Sequence, residues 1–147
     1  AAAIPGKHER SKRSMRINDM VKEAHETAIS KGWWDDEKSF GEVIALMHSE
    51  LSEALEEARA GNDANVTYYE CKNPQACPDD QYVCGACCSD RPNKCRFAKP
   101  CGIPSELADC VIRIFDACGR YGIDLEQAIR VKMEFNKNRP YKHGKKF

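Results

Sequence analysis

The sequence lacks a long hydrophobic run and an excess of charge of either sign. None of its apolar stretches approaches the roughly 20 residues of a membrane helix, and its first residues lack the apolar core of a signal peptide. Its 23 basic and 23 acidic residues give a formal net charge of zero, so no global field favours nucleic acid or a membrane surface. We therefore expect a soluble, cytoplasmic protein that has neither a membrane nor nucleic acid as its partner.

Strand patterns are also scarce. The Val-Thr-Tyr-Tyr run at residues 66–69 is the only β-rich stretch, and it is isolated. Four other stretches repeat apolar residues at helical spacing and carry helix start or stop signals. These predicted helices run from Ile17 to Ser30, from a Ser39 cap to near Arg59, from Pro104 to about Tyr121, and from Leu125 to roughly Asn138. The pattern predicts an all-α fold, in which the short link between the last two helices favours their antiparallel packing.

The length of 147 residues suits a single domain. We expect residues 1–16 to form a disordered basic arm and residues 17–147 to form one helical domain. Residues 62–102 lose helical periodicity and contain most of the cysteines, so they are predicted to be an irregular insertion between the second and third helices. A second basic segment, residues 137–146, ends the chain.

Two pairs of carboxylates carry the clearest chemical signal. Glu50 and Glu53 lie three residues apart on the second predicted helix, and Glu106 and Asp109 lie three residues apart on the third. Three residues correspond to about 60° around a helix and ~4.5 Å along it, which suits chelation of a hard cation. Both pairs border an apolar stripe, where crowded like charges are costly unless a cation joins them. Mg²⁺ is the simplest such cation.

The same spacing has an ordinary explanation. Because 31% of the residues are charged, acids three residues apart are common on solvated helix faces. The basic segments at both ends of the chain do suit an anionic substrate held over metal ions. Spacing alone nevertheless leaves a metal site and a solvated surface both open.

The order of the motifs resembles a known family. A helix with Glu-x-x-Glu, an insertion, a helix with Glu-x-x-Asp, and a last helix that ends in Asn-Lys-x-Arg-Pro-Tyr-x-His-Gly are similar to the MazG-type all-α nucleoside triphosphate pyrophosphohydrolases. The resemblance covers residues 25–59 and 102–147. It implies a four-helix-bundle core that assembles as a homodimer or homotetramer.

The resemblance also implies an activity. Family members hydrolyse a nucleoside triphosphate to the monophosphate and pyrophosphate with Mg²⁺, for which Mn²⁺ is a possible substitute. By matching positions, Glu50, Glu53, Glu106 and Asp109 would be the metal ligands, and Glu53 would also accept a proton from the attacking water. Such an enzyme removes surplus or damaged nucleotides.

Substrate contacts follow from the same resemblance. A histidine on the first helix, an aromatic residue in the next loop and an asparagine on the last helix correspond to His25, Trp34 and Asn136. Trp34 would stack on a base, although a hydrophobic plug between helices explains it equally well. Arg139 is the best candidate for triphosphate contact because its planar fork matches phosphate oxygens. Arg113, one turn after Asp109, would instead form a salt bridge with one of the paired acids.

The cysteine segment departs from a minimal family pattern. Cys84-Gly-Ala-Cys87 has the spacing of half a zinc site, and a structural Zn²⁺ would order a loop that has no core. Free thiols explain the segment as well, since a second Cys-x-x-Cys is lacking and nine cysteines cannot all pair. The sequence does not decide among zinc, disulfides and free thiols for Cys71, Cys77, Cys84, Cys87, Cys88, Cys95 and Cys101. Cys110 and Cys118 belong to the stripe of the third helix.

Two other functions remain open from the sequence. One is a zinc-containing module that binds nucleic acid or protein through the cysteine segment, with structural acid pairs. The other is a nucleotide sensor that binds without hydrolysis. The preferred base and sugar, and the phosphorus that water attacks, do not follow from the residues.

Overall fold

A computed structural model of the chain describes residues 16–73 and 97–141, and within these ranges the protein is mostly helical. The helices are α1 (Ile17–Ser30), α2 (Phe40–Arg59), α3 (Ile103–Tyr121) and α4 (Leu125–Lys137). Two short strands, β1 (Tyr68–Cys71) and β2 (Ala98–Cys101), lie between α2 and α3. The four predicted helices are confirmed, and each ends at or next to the predicted residue.

Local signals explain where the helices begin and end. At the start of α2, the Ser39 hydroxyl accepts a hydrogen bond from the Glu42 amide (3.2 Å), and the Glu42 carboxylate accepts one from the Ser39 amide (2.6 Å). Asp124 caps α4 by accepting from the amide of Gln127 (3.0 Å). Helix α3 stops at Gly122, whose φ of 65° is left-handed.

Helix α3 forms the centre of the fold because it packs against both α1 and α2. Its close approach to α1 depends on Gly119, where a Cβ atom would lie 2.5 Å from the Cβ of His25. The buried apolar side chains of the described residues come from all three helices and from β2, and they comprise Val21, Val43, Ala54, Cys101, Cys110, Ala117 and Cys118. Cys110 and Cys118 therefore belong to the core, as predicted.

Helix α4 lies differently from the prediction. Its main contacts are with α1, not with the preceding α3, and none of its residues is buried. Asn18 on α1 explains this position because its amide donates to Asp124 (2.9 Å) and its carbonyl oxygen accepts from the Glu126 amide (3.3 Å). The predicted packing of the last two helices was wrong because the link length alone does not fix the partner of α4.

The insertion contains a small sheet that the sequence did not predict. Strands β1 and β2 pair antiparallel, with Tyr68 opposite Cys101 and Cys71 opposite Ala98. Each strand has four residues, which is too short for a reliable alternating pattern, and the pairing joins the two ends of a long insertion. The two ends of the insertion thus pair with each other, and β2 leads directly into α3.

Other predictions concern residues outside these ranges or the chain as a whole. None of the helices within residues 16–73 and 97–141 is long and apolar enough to cross a membrane. Nearly all of the predicted basic arm lies outside the described residues. The same holds for Cys77, Cys84, Cys87, Cys88 and Cys95, for which the sequence leaves zinc, disulfides and free thiols all open.

Candidate metal centre

Three of the four predicted metal ligands lie together where α2 packs on α3. Glu50 comes from the middle of α2, and Glu106 and Asp109 come from the first two turns of α3. Each offers one carboxylate oxygen, and these oxygens all lie within 4.8 Å of one another. The start of α3 is held in place by Gly102, where φ is 99° and a Cβ atom would meet the carbonyl oxygen of Val66 at 2.6 Å. The fold thus joins acids that are more than 50 residues apart in the chain.

Two of these acids are buried. Glu50 and Glu106 are each only 5% exposed, in contrast to the acids of a solvated helix face. Within the described residues, Oε2 of Glu106 is buried and has no hydrogen-bond partner. Burial raises the pKa of Glu106, and the negative charges of Glu53, Asp109 and Glu50 raise it further, whereas Lys99 lowers it. An unpartnered oxygen among other carboxylates is a costly arrangement that a cation would relieve.

Glu53 lies beside the cluster without belonging to it. Its side chain is exposed on α2, and its charge still raises the pKa of Glu106. An exposed carboxylate next to a buried one is open to water, so it is suited to exchange protons with the solvent. The fourth predicted ligand is therefore close to the site but differs in its surroundings from the other three.

Arg113 neutralises part of the cluster. Its Nε donates to Oε1 of Glu50 at 2.5 Å, which confirms the predicted salt bridge between Arg113 and one of the paired acids. Its guanidinium carbon also lies 5.6 Å from the centre of the Trp33 ring, within the range of a cation–π contact. Glu50 thus has a cationic hydrogen-bond partner, whereas Oε2 of Glu106 has no hydrogen-bond partner among the described residues.

The donor set fits a hard divalent cation. All three clustered ligands are carboxylates, and Mg²⁺ prefers a few such oxygens together with water and phosphate oxygens. Soft thiolate or imidazole ligands do not belong to this cluster. The residues present are therefore compatible with Mg²⁺ or Mn²⁺.

A cavity of about 580 Å³ opens beside the cluster. Glu50, Asp109 and Arg113 line one part of it, and Trp33 and Trp34 line another. Most of the remaining wall is apolar and comes from α1, α2 and α3, including Met20, Ala24, Val43, Leu46, Ile112 and Phe115. Apolar walls with a few charged groups are typical of sites for small organic ligands.

A hydrogen-bonded network closes the cavity on the side of α1. Oδ1 of Asp116 accepts from Nδ1 of His25 at 2.7 Å and from Nε1 of Trp34 at 2.9 Å, while Oδ2 lies 3.2 Å from the same indole nitrogen. A carboxylate only accepts, so Nδ1 of His25 carries a proton. Trp34 and Asp116 line the cavity, whereas His25 supports Asp116 from behind. The rings of His25 and Trp34 meet edge to face, with centroids 6.0 Å apart.

The other two predicted substrate residues lie apart from this cavity. Asn136 is exposed near the end of α4, and Arg139 is exposed just beyond it. The Arg139 guanidinium carbon lies 5.5 Å from the centre of the Phe135 ring, on the same segment. No residue of α4 lines the cavity, so within the described part of one chain these two residues are not brought to the acids.

Sequence reasoning missed Asp116. The available signal was its spacing, because Asp109, Arg113 and Asp116 recur at four and three residues and therefore share one face of α3. What the sequence could not show was the partner, since His25 and Trp34 lie on elements more than 80 residues away.

Comparison of the chain with models of protein families, with curated proteins and with solved structures finds no match.

Proposed function

We propose that the protein is a Mg²⁺-dependent nucleotide pyrophosphohydrolase of the MazG type, which converts a nucleoside triphosphate and water to the monophosphate and pyrophosphate. The observation that carries this proposal is the buried cluster of Glu50, Glu106 and Asp109, with an orphaned oxygen on Glu106, beside a cavity of about 580 Å³. A purely structural acid cluster has no need of such a cavity. A ligand cavity alone has no need of two buried glutamates.

Each of the four acids has a role in this proposal. Glu50, Glu106 and Asp109 hold the metal, and Glu53 completes the set from the exposed side. Bound Mg²⁺ supplies positive charge that offsets charge on the phosphate oxygens and acidifies water. Glu53 accepts the proton of the attacking water and passes it to the solvent, to which its carboxylate is exposed.

Cationic side chains of the cavity bind the triphosphate. Arg113 lies between Glu50 and Trp33, and its planar guanidinium matches phosphate oxygens. Lys31 and Lys38 also line the cavity. The apolar part of the cavity holds the nucleoside, with Trp34 as one wall.

We further propose a four-helix arrangement that is completed by assembly into a homodimer or homotetramer. Support comes from the large apolar side chains that α4 leaves exposed, namely Val131, Met133 and Phe135, and from those on α2 and α3, namely Leu51, Leu55, Leu107 and Val111. Assembly would also give the exposed Asn136 and Arg139 a site to contact. A monomeric mass by light scattering at micromolar concentration would contradict this assembly.

The function is tested with a panel of ribo- and deoxynucleoside triphosphates. Each is incubated with Mg²⁺, and the products are separated by anion-exchange chromatography. The expected products are a nucleoside monophosphate and pyrophosphate in equal amounts. A diphosphate with orthophosphate would place the chemistry at another phosphorus. Mg²⁺-dependent thermal stabilisation by nucleotides without any turnover would instead identify a sensor.

A further inference from the structure

We infer that Asp116 selects the base of the substrate, favouring bases that present an amino group, such as cytosine and adenine, over those that present a carbonyl oxygen at the same position. This inference rests on the proposed function. It assigns a specificity-determining role to a residue that neither the acid-pair motifs nor the basic tail includes.

The location of Asp116 suits a contact with the base. Asp109 and Asp116 lie on one face of α3, seven residues apart, which corresponds to about 10 Å along the helix axis. That separation is comparable to the distance from the phosphates of a nucleotide to the far edge of its base. A triphosphate bound at the metal end therefore directs its base towards Asp116, past Arg113 and along the apolar wall.

The hydrogen bonds of Asp116 leave one oxygen for a ligand. Oδ1 already accepts two hydrogen bonds, from His25 and Trp34. Oδ2 has only the longer second contact with the Trp34 indole (3.2 Å). The side chain keeps 21% of its surface exposed and lines the cavity, which gives a ligand access to the carboxylate. A carboxylate oxygen can accept more than one hydrogen bond, so Oδ2 can take one amino donor in addition to its long contact with the indole.

The same oxygen disfavours a carbonyl group. A carboxylate cannot donate, so a base that presents an oxygen at this position would place two acceptors face to face. Leaving such groups unpaired in a cavity costs affinity for that base. Cytosine and uracil differ in this way at one ring position, and adenine and hypoxanthine differ at the corresponding position of a purine.

The network around Asp116 holds its carboxylate in one orientation. Gly119, one turn later on α3, leaves room for the His25 side chain beside α3, where a Cβ atom would lie 2.5 Å from the Cβ of His25. Two donors from different elements, α1 and the loop after it, then fix the carboxylate from two directions. A rigid acceptor discriminates better than a mobile one, because it cannot turn away from a mismatched group.

The test compares kcat/KM for dCTP against dUTP, and for dATP against dITP, in the wild type, Asp116→Asn and Asp63→Asn. Asp63 is an exposed acid in the loop after α2 and serves as the matched control. The wild type is expected to favour dCTP and dATP by roughly 10-fold or more. Asp116→Asn replaces the acceptor Oδ2 with a donor, so both ratios are expected to fall at least 10-fold or to invert. Asp63→Asn should leave both ratios unchanged.

Equal kcat/KM values of the wild type for dCTP and dUTP, and for dATP and dITP, would overturn the inference. So would kcat/KM ratios that are the same in Asp116→Asn as in the wild type. A merely structural role would lower kcat/KM for all four nucleotides together. Affinities for the α,β-imido analogues of dCTP and dUTP give the same comparison without turnover. An inactive wild type whose affinities still differ through Asp116 would therefore contradict the proposed function alone. If Asp116→Asn does not fold, Asp116→Ala is expected to lose the preference without inverting it.

Discussion

Nε of Arg113 donates to Oε1 of Glu50 at 2.5 Å, across the contact between α3 and α2, and so pairs one of the two buried carboxylates of the acid cluster with a positive charge. The Glu50 side chain is only 7% exposed, and the Arg113 side chain is 29% exposed. The cluster is thus partly neutralised by the protein itself, which leaves Glu106 as the acid with the strongest need of a cation.

Replacing Arg113 with methionine tests this relationship. Arg113→Met leaves Glu50 buried without its partner, and we expect a loss of about 3 kcal/mol in the free energy of unfolding without metal. Saturating Mg²⁺ should recover most of the loss because the ion neutralises the same carboxylate. Urea unfolding with EDTA and with Mg²⁺ measures the loss in the free energy of unfolding under the two conditions. An equal loss under the two conditions would show that no cation binds at Glu50.

Glu53→Gln tests the exposed acid. Because its side chain is solvent-exposed, the substitution should leave the urea midpoint nearly unchanged. Loss of the proton acceptor is expected to lower kcat by about 10²- to 10⁴-fold. The control is Glu56→Gln on the same helix, whose ion pair with Arg59 is about 70% exposed on both sides and contributes little. Unfolding of the Glu53 variant would mean that this acid is structural.

Gly119→Ala tests the close approach of α1 and α3. Alanine has the higher helix propensity, but its Cβ would lie 2.5 Å from the Cβ of His25, so we expect a net loss of about 1–3 kcal/mol. Gly41→Ala is the matched control, since the nearest atom to its Cβ is the Ser39 hydroxyl at 3.9 Å. That control should be neutral or stabilise by up to about 1 kcal/mol. Thermal unfolding of both variants provides the comparison. Equal changes in stability for Gly119→Ala and Gly41→Ala would argue against close packing at His25.

The link between α1 and α4 predicts a dependence on pH. The hydrogen bond from Asn18, and then that from the Gln127 amide, lower the pKa of Asp124 below its ordinary value of 3.8. The unfolded chain therefore binds this proton at higher pH than the folded protein does. The stabilisation from Asp124 is complete at about one pH unit above 3.8, declines as the unfolded chain takes up the proton, and is lost as the pH falls through the folded pKa.

Asn18→Ala removes the hydrogen bond that contributes most to the lowered pKa of Asp124. It should lower stability at neutral pH and make the decline of stability below about pH 5 shallower than in the wild type. Urea unfolding at several pH values between 3 and 7 measures this slope, with Asn65→Ala in an exposed turn as the control. If the free energy of unfolding of Asn18→Ala and of the wild type changes with pH in parallel, the assigned role of Asn18 is contradicted.

The helices were predictable because their signals are local. The Ser39 and Asp124 caps and the Gly122 stop lie within a few residues of the ends that they define. The joining of Glu50 with Glu106 and Asp109 was also predictable in outline, since both acid pairs border apolar stripes that must meet in a core. The sequence pattern thus anticipated the acid cluster more fully than the cavity beside it.

The remaining features depend on contacts between distant residues. The pairing of β1 with β2, the position of α4 on α1, and the hydrogen bonds of Asp116 to His25 and Trp34 all join segments far apart in the chain. Spacing within one segment carries no information about such partners. For the same reason, the sequence indicated that Glu53 belongs with the other acids but not that it would be the exposed member.

The most direct test of the proposed metal centre measures pyrophosphate release from the preferred triphosphate, with Mg²⁺ and with EDTA, by the wild type and by Glu106→Gln. Glutamine keeps the size of this buried side chain but removes the charge, so the variant should fold at least as well as the wild type without metal. We predict release by the wild type only with Mg²⁺, and at least about 100-fold slower release by Glu106→Gln. Equal rates for the two proteins, or wild-type release that persists in EDTA, would contradict a catalytic metal at Glu50, Glu106 and Asp109.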